Sequence, residues 1–293
     1  MSIPSLPPNT ELDIDNALVS CEWLRQHLAH PGLVILDATF FLPRQQRNAR
    51  EEYCRQHIQG AQFFDIDDIA DRNNPLPHTL PSAEQFGRQA GQLGIDNDNW
   101  VIVYDHNHFF ASARVWWMFQ VFGHDKVKVL DGGLTRWKQL AFPLTDDRKT
   151  PVPKAFQAMF RPELFADLAQ MREIQQQDSA QILDSRSEDS FMGQRPLHEP
   201  GLQPGHIPGS HNIPYQHLFV PDDHRLRPVD QLRQLLSSAA VDYSKPLVTS
   251  CGSGVSAAVL LLALYQIGIP EVSLFDGSWA EWGRQKDVPI EKP

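Results

Sequence analysis

The chain has 293 residues, 41% of them hydrophobic and 21% charged, with a formal net charge of −10. That composition describes an ordinary globular protein long enough for two domains, and the acidic balance argues against nucleic acid or anionic membranes as main partners. Cys21, Cys54 and Cys251 lie too far apart to form a disulfide framework or a metal site, which fits a reducing, cytoplasmic compartment.

The opening Met1-Ser-Ile-Pro-Ser-Leu-Pro-Pro has neither the basic nor the apolar region of a secretory signal. From there the elements come in two similar rounds. Val34-Ile-Leu-Asp37 reads as a buried strand, and His57-Ile-Gln-Gly-Ala-Gln-Phe-Phe64 as a turn into a second. Trp100-Val-Ile-Val-Tyr-Asp105 is a third strand, ending in the polar loop His106-Asn-His108. Arg114-Val-Trp-Trp-Met-Phe119 is an apolar helical face, expected in the core. Val127-Lys-Val-Leu-Asp131-Gly-Gly-Leu-Thr-Arg-Trp137 closes the round. Ala141 to Pro153 is proline-rich, polar and without period, so it reads as an extended linker.

The second round begins after a short solvated helix end at Ile174-Gln-Gln-Gln177. It runs through Ile182-Leu-Asp184-Ser-Arg186, Gly205-His206-Ile-Pro-Gly-Ser-His211-Asn-Ile-Pro214, Leu247-Val-Thr-Ser250 and Val272-Ser-Leu-Phe-Asp276-Gly-Ser-Trp-Ala-Glu-Trp282. Asp-Gly to Trp has the same spacing in both rounds. Strands alternating with amphipathic helices indicate α/β units around a mainly parallel sheet. The expected domains are 16–140 and 163–290, joined by a linker over 141–162.

The two rounds differ most where chemistry is expected. Leu247-Val-Thr-Ser-Cys251-Gly-Ser-Gly-Val-Ser256 leads into the apolar helix Ala257–Tyr265. A cysteine between a strand and a helix N-terminus sits where backbone N–H groups and the positive helix end converge. Such surroundings lower a thiol below its usual pKa of about 8.5 and favour the nucleophilic thiolate. Gly252 and Gly254 let the backbone fold around the sulfur, whereas a merely structural core cysteine needs neither. In the first round the strand-end position corresponding to Cys251 holds Asp105, which cannot act as a sulfur nucleophile. One domain is therefore expected to be a degenerate partner. Asp105-His106-Asn107-His108 lacks a third ligand at workable spacing, so no metal and no cofactor are expected. His206 and His211 flank a Pro-Gly turn and are expected to pack it.

Tandem Asp-x-Arg (or its remnant), His-Ile-x-Gly and Asp-Gly-x-x-x-x-Trp motifs, with Cys-Gly-Ser-Gly-Val-Ser only in the second copy, resemble the two-domain rhodanese superfamily. The similarity covers about Leu18 to Trp282, and the loop is most similar to its 3-mercaptopyruvate sulfurtransferase branch. The resemblance implies two tandem rhodanese-like domains. It also implies sulfane-sulfur transfer through a Cys251 persulfide, from a small-molecule donor to cyanide or a thiol acceptor such as thioredoxin. It further implies a relay of Ser253, His78 and Asp67, the last two eleven positions apart, with Gly252, Gly254, Val255 and Ser256 cradling the transferred sulfur.

For a carboxylate donor the family pattern implies two arginines after Asp184-Ser-Arg186. Their positions hold Ser190 and Glu199, leaving Arg195 as the nearby cation, while Arg186 is expected to be salt-bridged beneath the loop. Thiosulfate sulfurtransferases carry cations in the loop that are absent here. A phosphatase of this fold needs an arginine six positions beyond the cysteine, and Ala257 stands there. The remaining alternatives are a thiosulfate:cyanide sulfurtransferase and a non-catalytic binding module.

Overall fold

A computed structural model describes residues 16–196, 200–221 and 223–292. The duplication read in the sequence is present in the topology. The first sheet is built from β1 (Leu18–Val19), β2 (Leu33–Asp37), β4 (Gln62–Phe63), β5 (Trp100–Tyr104) and β6 (Val127–Leu130), in the order β1-β6-β5-β2-β4. The second uses β8 (Phe165–Ala166), β9 (Gln181–Asp184), β10 (His211–Asn212), β11 (Leu247–Ser250) and β12 (Val272–Phe275), in the order β8-β12-β11-β9-β10. Strand for strand the two orders coincide, and every pairing in both is parallel. A small antiparallel ribbon pairs β3 (His57–Ile58) with β7 (Leu144–Thr145).

Parallel strands are covered on both faces, so their sequences are continuously apolar rather than alternating. Leu247-Val-Thr-Ser250 is buried throughout, as are Val101 to Tyr104. The helix Ala257–Gln266 buries every side chain from Ala257 to Leu264; a helix apolar all round belongs inside. Ser20, Ser82 and Asp167 cap helices by accepting from the amides of Trp23, Gln85 and Gln170.

The chain forms two compact units. Unit 1 is Met1–Ile69, Pro81–Phe160 and Pro221–Arg225; unit 2 is Ala70–Leu80, Arg161–Val220 and Leu226–Pro293. Each therefore includes a short segment that the sequence boundaries assign to the other. The proline-rich stretch read as an extended linker runs into residues 151–160, which pack on unit 1. Lys154 N donates to Gly91 O and Met159 N to Phe122 O, both at 2.9 Å. Phe156 is buried against Phe86, Phe119 and His124. Two helical glycines make this close approach possible: a Cβ on Gly87 would lie 2.8 Å from Phe156 O, and one on Gly91 would collide with Lys154 O.

Unit 1 has no arginine at the position matching Arg186. Asp37, where Asp184 stands in the second round, is 1% exposed and has Thr39 in place of an arginine. Its Oδ1 accepts from Thr39 N at 3.0 Å and Thr39 Oγ1 at 2.5 Å, yet burial pushes the carboxyl up to about 6. An acid raised in this way favours folding below its unfolded pKa of about 3.9, and that contribution is lost as the pH rises through about 6. Asp37→Asn should therefore raise stability at pH 7 by about 2–3 kcal/mol, from a shift of roughly two units at 1.36 kcal/mol each. The gain should fade by pH 4. Urea unfolding of both proteins at the two pH values checks this; an equal change at both would contradict it.

Candidate active site

Cys251 follows β11 directly, and β9 pairs with β11 so that Ser250 lies opposite Asp184. The residues after both strands thus emerge at one carboxyl-terminal sheet edge, the usual place for a site in an open α/β fold. The cysteine is 1% exposed, Gly252 beside it is exposed, and a Cβ built on Gly252 meets nothing within 4 Å. Ser253 is half-buried, and Gly254, Val255 and Ser256 are buried. Gly254 has φ +77°, a left-handed conformation that glycine adopts without a Cβ penalty. Ser256 leads into the helix, and its Oγ lies 3.1 Å from Ser185 Oγ.

The loop is fixed from the opposite side by the turn after β12. Trp279 N donates to Cys251 O at 2.9 Å and Ala280 N to Gly252 O at 2.8 Å. Cys251 N donates to Ser278 Oγ at 3.1 Å, and that hydroxyl donates to Phe275 O at 2.8 Å and stands 3.9 Å from Cys251 Sγ. Ser278 does this at φ +48°. Its counterpart in unit 1, Gly133, has φ +53°, as suits a glycine. A non-glycine residue held in that region costs of order 1 kcal/mol or more and persists where its surroundings over-determine it. Here the side chain's three contacts do so. The Asp-Gly-to-Trp interval was legible only as a repeat landmark; the Gly-to-Ser change inside it was the signal for Ser278.

Beneath the loop, Arg186 is committed to structure, as expected. Its Nε donates to both Asp184 oxygens at 3.1 and 2.9 Å, its Nη2 lies 2.7 Å from Asp184 Oδ2, and Nη2 also donates to Gly205 O at 3.0 Å. The guanidinium lies over the Trp279 ring, 4.5 Å from its centroid. With Nε and Nη2 engaged in this way, Arg186 supports the strand end beneath the loop. His206 packs its turn: its ring stacks on Phe191 and its Nδ1 meets Phe191 O at 2.9 Å.

The other expected residues fall as follows. Arg195 is exposed, with its amide donating to Asp189 O at 3.2 Å. Ser190, in the short helix Glu188–Phe191, accepts from Ser187 Oγ at 2.9 Å. Beside it the Asp189 carboxyl is held below the ordinary range by hydrogen bonds from Ser187 and the Ser190 amide. Glu199 lies outside the described residues. Asp67 is exposed in unit 1, with its amide donating to Asp65 Oδ1 at 3.1 Å. His78 belongs to unit 2, in the segment whose Leu80 amide donates to Asp276 Oδ2 at 2.8 Å. The anchoring by Ser278 and Asp276 was missed at the level of sequence.

The corresponding loop of unit 1 carries a carboxyl group where unit 2 has the thiol. The buried Asp105 carboxylate accepts from the amides of Asn107 and Phe109 at 3.0 and 3.1 Å, and from those of Ala111 and Ser112 at 3.1 and 2.9 Å. Leu134 N donates to Asp105 O as Trp279 N does to Cys251 O. The other two thiols are elsewhere. Cys21 is core, with burial pushing its thiol up to about 12; Cys54 is half-buried beside Arg148. Among the described residues, no group of three or more metal-ligating side chains converges, and no helix is long and apolar enough to cross a membrane.

A model of the rhodanese-like domain matches residues 20–140 and 167–285. The 3-mercaptopyruvate sulfurtransferase of Homo sapiens is 40% identical over 284 residues, covering 94% of this chain and 95% of that protein. The thiosulfate sulfurtransferase of Rattus norvegicus is also 40% identical, over 92% of each chain. The crystal structure of SseA, a 3-mercaptopyruvate sulfotransferase from Escherichia coli, superposes with a TM-score of 0.83 at 38% identity, covering 91% of this chain and all of that one. With the family model matching both halves and these relatives covering nearly its whole length, the chain belongs to the rhodanese family, with two tandem rhodanese-like domains.

Proposed function

We propose that the protein is a 3-mercaptopyruvate sulfurtransferase acting through a persulfide on Cys251. The observation that carries this reading is the clamping of Cys251 by its own peptide group, its amide on Ser278 and its carbonyl on Trp279 N. The thiol is thereby fixed at the open Gly252 edge of the sheet. In unit 1 a loop of this register closes around a carboxyl group, where four amides hold Asp105.

The Cys251 thiolate attacks the donor sulfur; an S–S bond forms, the donor C–S bond breaks, and its electron pair becomes the enolate of pyruvate. Protonation of that enolate at carbon releases pyruvate and leaves Cys251 as a persulfide. An acceptor thiolate then takes the outer sulfur and regenerates the Cys251 thiolate; cyanide does the same and leaves as thiocyanate. The amides of the loop stabilise the persulfide anion. We assign the proton delivery to Ser253 and His78.

One comparison within the fold supports His78. His224, in the Pro221–Arg225 segment of unit 1, contacts His108, three residues beyond Asp105. His78 shares its left-handed φ of +61° and its position two residues before a leucine. The matching loop residue in unit 2 is Gly254.

The donor is chosen by charge. The loop Gly252 to Ser256 carries no cation for the double charge of thiosulfate, and mercaptopyruvate presents a single carboxylate, for which Arg195 is the candidate partner. Relatives bearing both donor names are equally similar, so thiosulfate is the second reading. Three free thiols suit a reducing cytoplasm and a dithiol acceptor such as thioredoxin.

Steady-state kinetics with the two donors tests the assignment. kcat/KM should be higher for 3-mercaptopyruvate. Ser253→Ala or His78→Ala should each lower that turnover by about 10²-fold, the low end for general acid catalysis. Their effect on thiosulfate, whose sulfite leaves without needing a proton, should be much smaller. Equal losses with both donors would remove the relay, and a preference for thiosulfate would reverse the donor.

A further inference from the structure

Asp276 is buried at the end of β12, where its Oδ2 accepts the Leu80 amide at 2.8 Å. Two residues later Ser278 holds the Cys251 amide. The single turn Phe275–Ser278 therefore grips two things at once: the thiol loop through a hydroxyl, and the segment bearing His78 through a carboxylate. That segment is short and closed on itself, because Asp71 N donates to Thr79 O at 3.0 Å. Fixing Leu80 thus fixes His78 two residues away.

The Glu281 side chain covers the turn at Gly277. Gly277 has no room for a side chain, since a Cβ there would collide with the Glu281 carboxyl folded over it. Burial, then the charge of Asp276, raises that Glu281 carboxyl above its ordinary range.

We propose that Asp276 is a positioning residue for sulfur transfer: it sets the segment carrying His78 in register with the Cys251 loop, so that loading of the sulfur depends on it while discharge does not. The proposal rests on the role of His78 as proton donor. In loading, the carbanion left by C–S cleavage must be protonated. In discharge to cyanide, the persulfide anion and cyanide give the Cys251 thiolate and thiocyanate, and no proton moves.

Rapid-quench measurement of the two half-reactions separates them, with pyruvate release reporting loading by 3-mercaptopyruvate. Thiocyanate formation from pre-loaded enzyme reports discharge. Asp276→Ala should slow loading at least about tenfold, and discharge at least fivefold less than that, the pattern of an interaction needed for one transition state only. Asp276→Asn keeps an oxygen acceptor for the Leu80 amide and should recover most of the loading rate. The Asp276→Ala/His78→Ala pair should load no more slowly than His78→Ala alone, as residues acting through one another do.

Equal losses in both half-reactions, no recovery in Asp276→Asn, or a double variant slower by the product of the single effects would each overturn the proposal. If His78→Ala itself loads at the wild-type rate, the proton-donor reading fails and this proposal with it. A loss in His78→Ala with none in Asp276→Ala removes the positioning role alone.

Discussion

Replacing Cys251 with serine is expected to cut sulfur transfer by at least about 10⁴-fold, the scale on which an essential nucleophile is felt. The fold should survive. Serine is close in volume, and the loop is held through its peptide groups, by Ser278, Trp279 and Ala280, rather than through the sulfur alone. A hydroxyl ionises far above neutral pH and is a hard nucleophile, so it fails at a soft sulfur even in the same cradle. Cys21 and Cys54 cannot compensate: the first is a core thiol kept protonated by burial, and the second lies on the helix Ala49–Arg55 of unit 1. Turnover assays with circular dichroism as a fold control check this. Retention of more than a few per cent of wild-type activity by a folded Cys251→Ser protein would contradict it.

The largest expected loss of stability lies beneath the loop. Arg186→Met should destabilise the protein by about 3–5 kcal/mol, because removing one partner of a buried ion pair strands the other charge. Asp184 would lose three donor contacts from Nε and Nη2, keeping the Arg186 backbone amide at 2.8 Å. Gly205 O would lose its donor, and Trp279 the guanidinium over its ring. Since Trp279 N holds the Cys251 carbonyl, activity should fall too, though less than in Cys251→Ser. Urea denaturation gives the measure; a midpoint within error of wild type would show that the pair is dispensable. Unit 1 shows how such a site settles once the arginine is gone, with Thr39 donating to a carboxyl that burial has raised to about 6.

The sheet order and the cysteine loop were legible because both are local properties. Strands buried on two faces must be written as unbroken apolar runs, and a loop that folds around a sulfur must contain glycines. What escaped detection joins residues far apart in the chain. Nothing near Leu80 indicates that its amide is taken by Asp276, and nothing near Pro151 indicates that the stretch after it docks on Gly87 and Gly91. The role of Ser278 was hidden in a motif whose spacing served only to mark the repeat. Arg186 was correctly expected beneath the loop, since a buried Asp-x-Arg at a strand end can satisfy its charges only in each other.

One atom, Cys251 Sγ, is proposed to carry the sulfur. The direct measurement is intact and peptide mass spectrometry of the protein after brief exposure to 3-mercaptopyruvate. One added sulfur should appear on the peptide containing Cys251, disappear on addition of cyanide, and be absent in Cys251→Ser. Pyruvate released without an adduct, or an adduct carried on the Cys54 peptide instead, would contradict it.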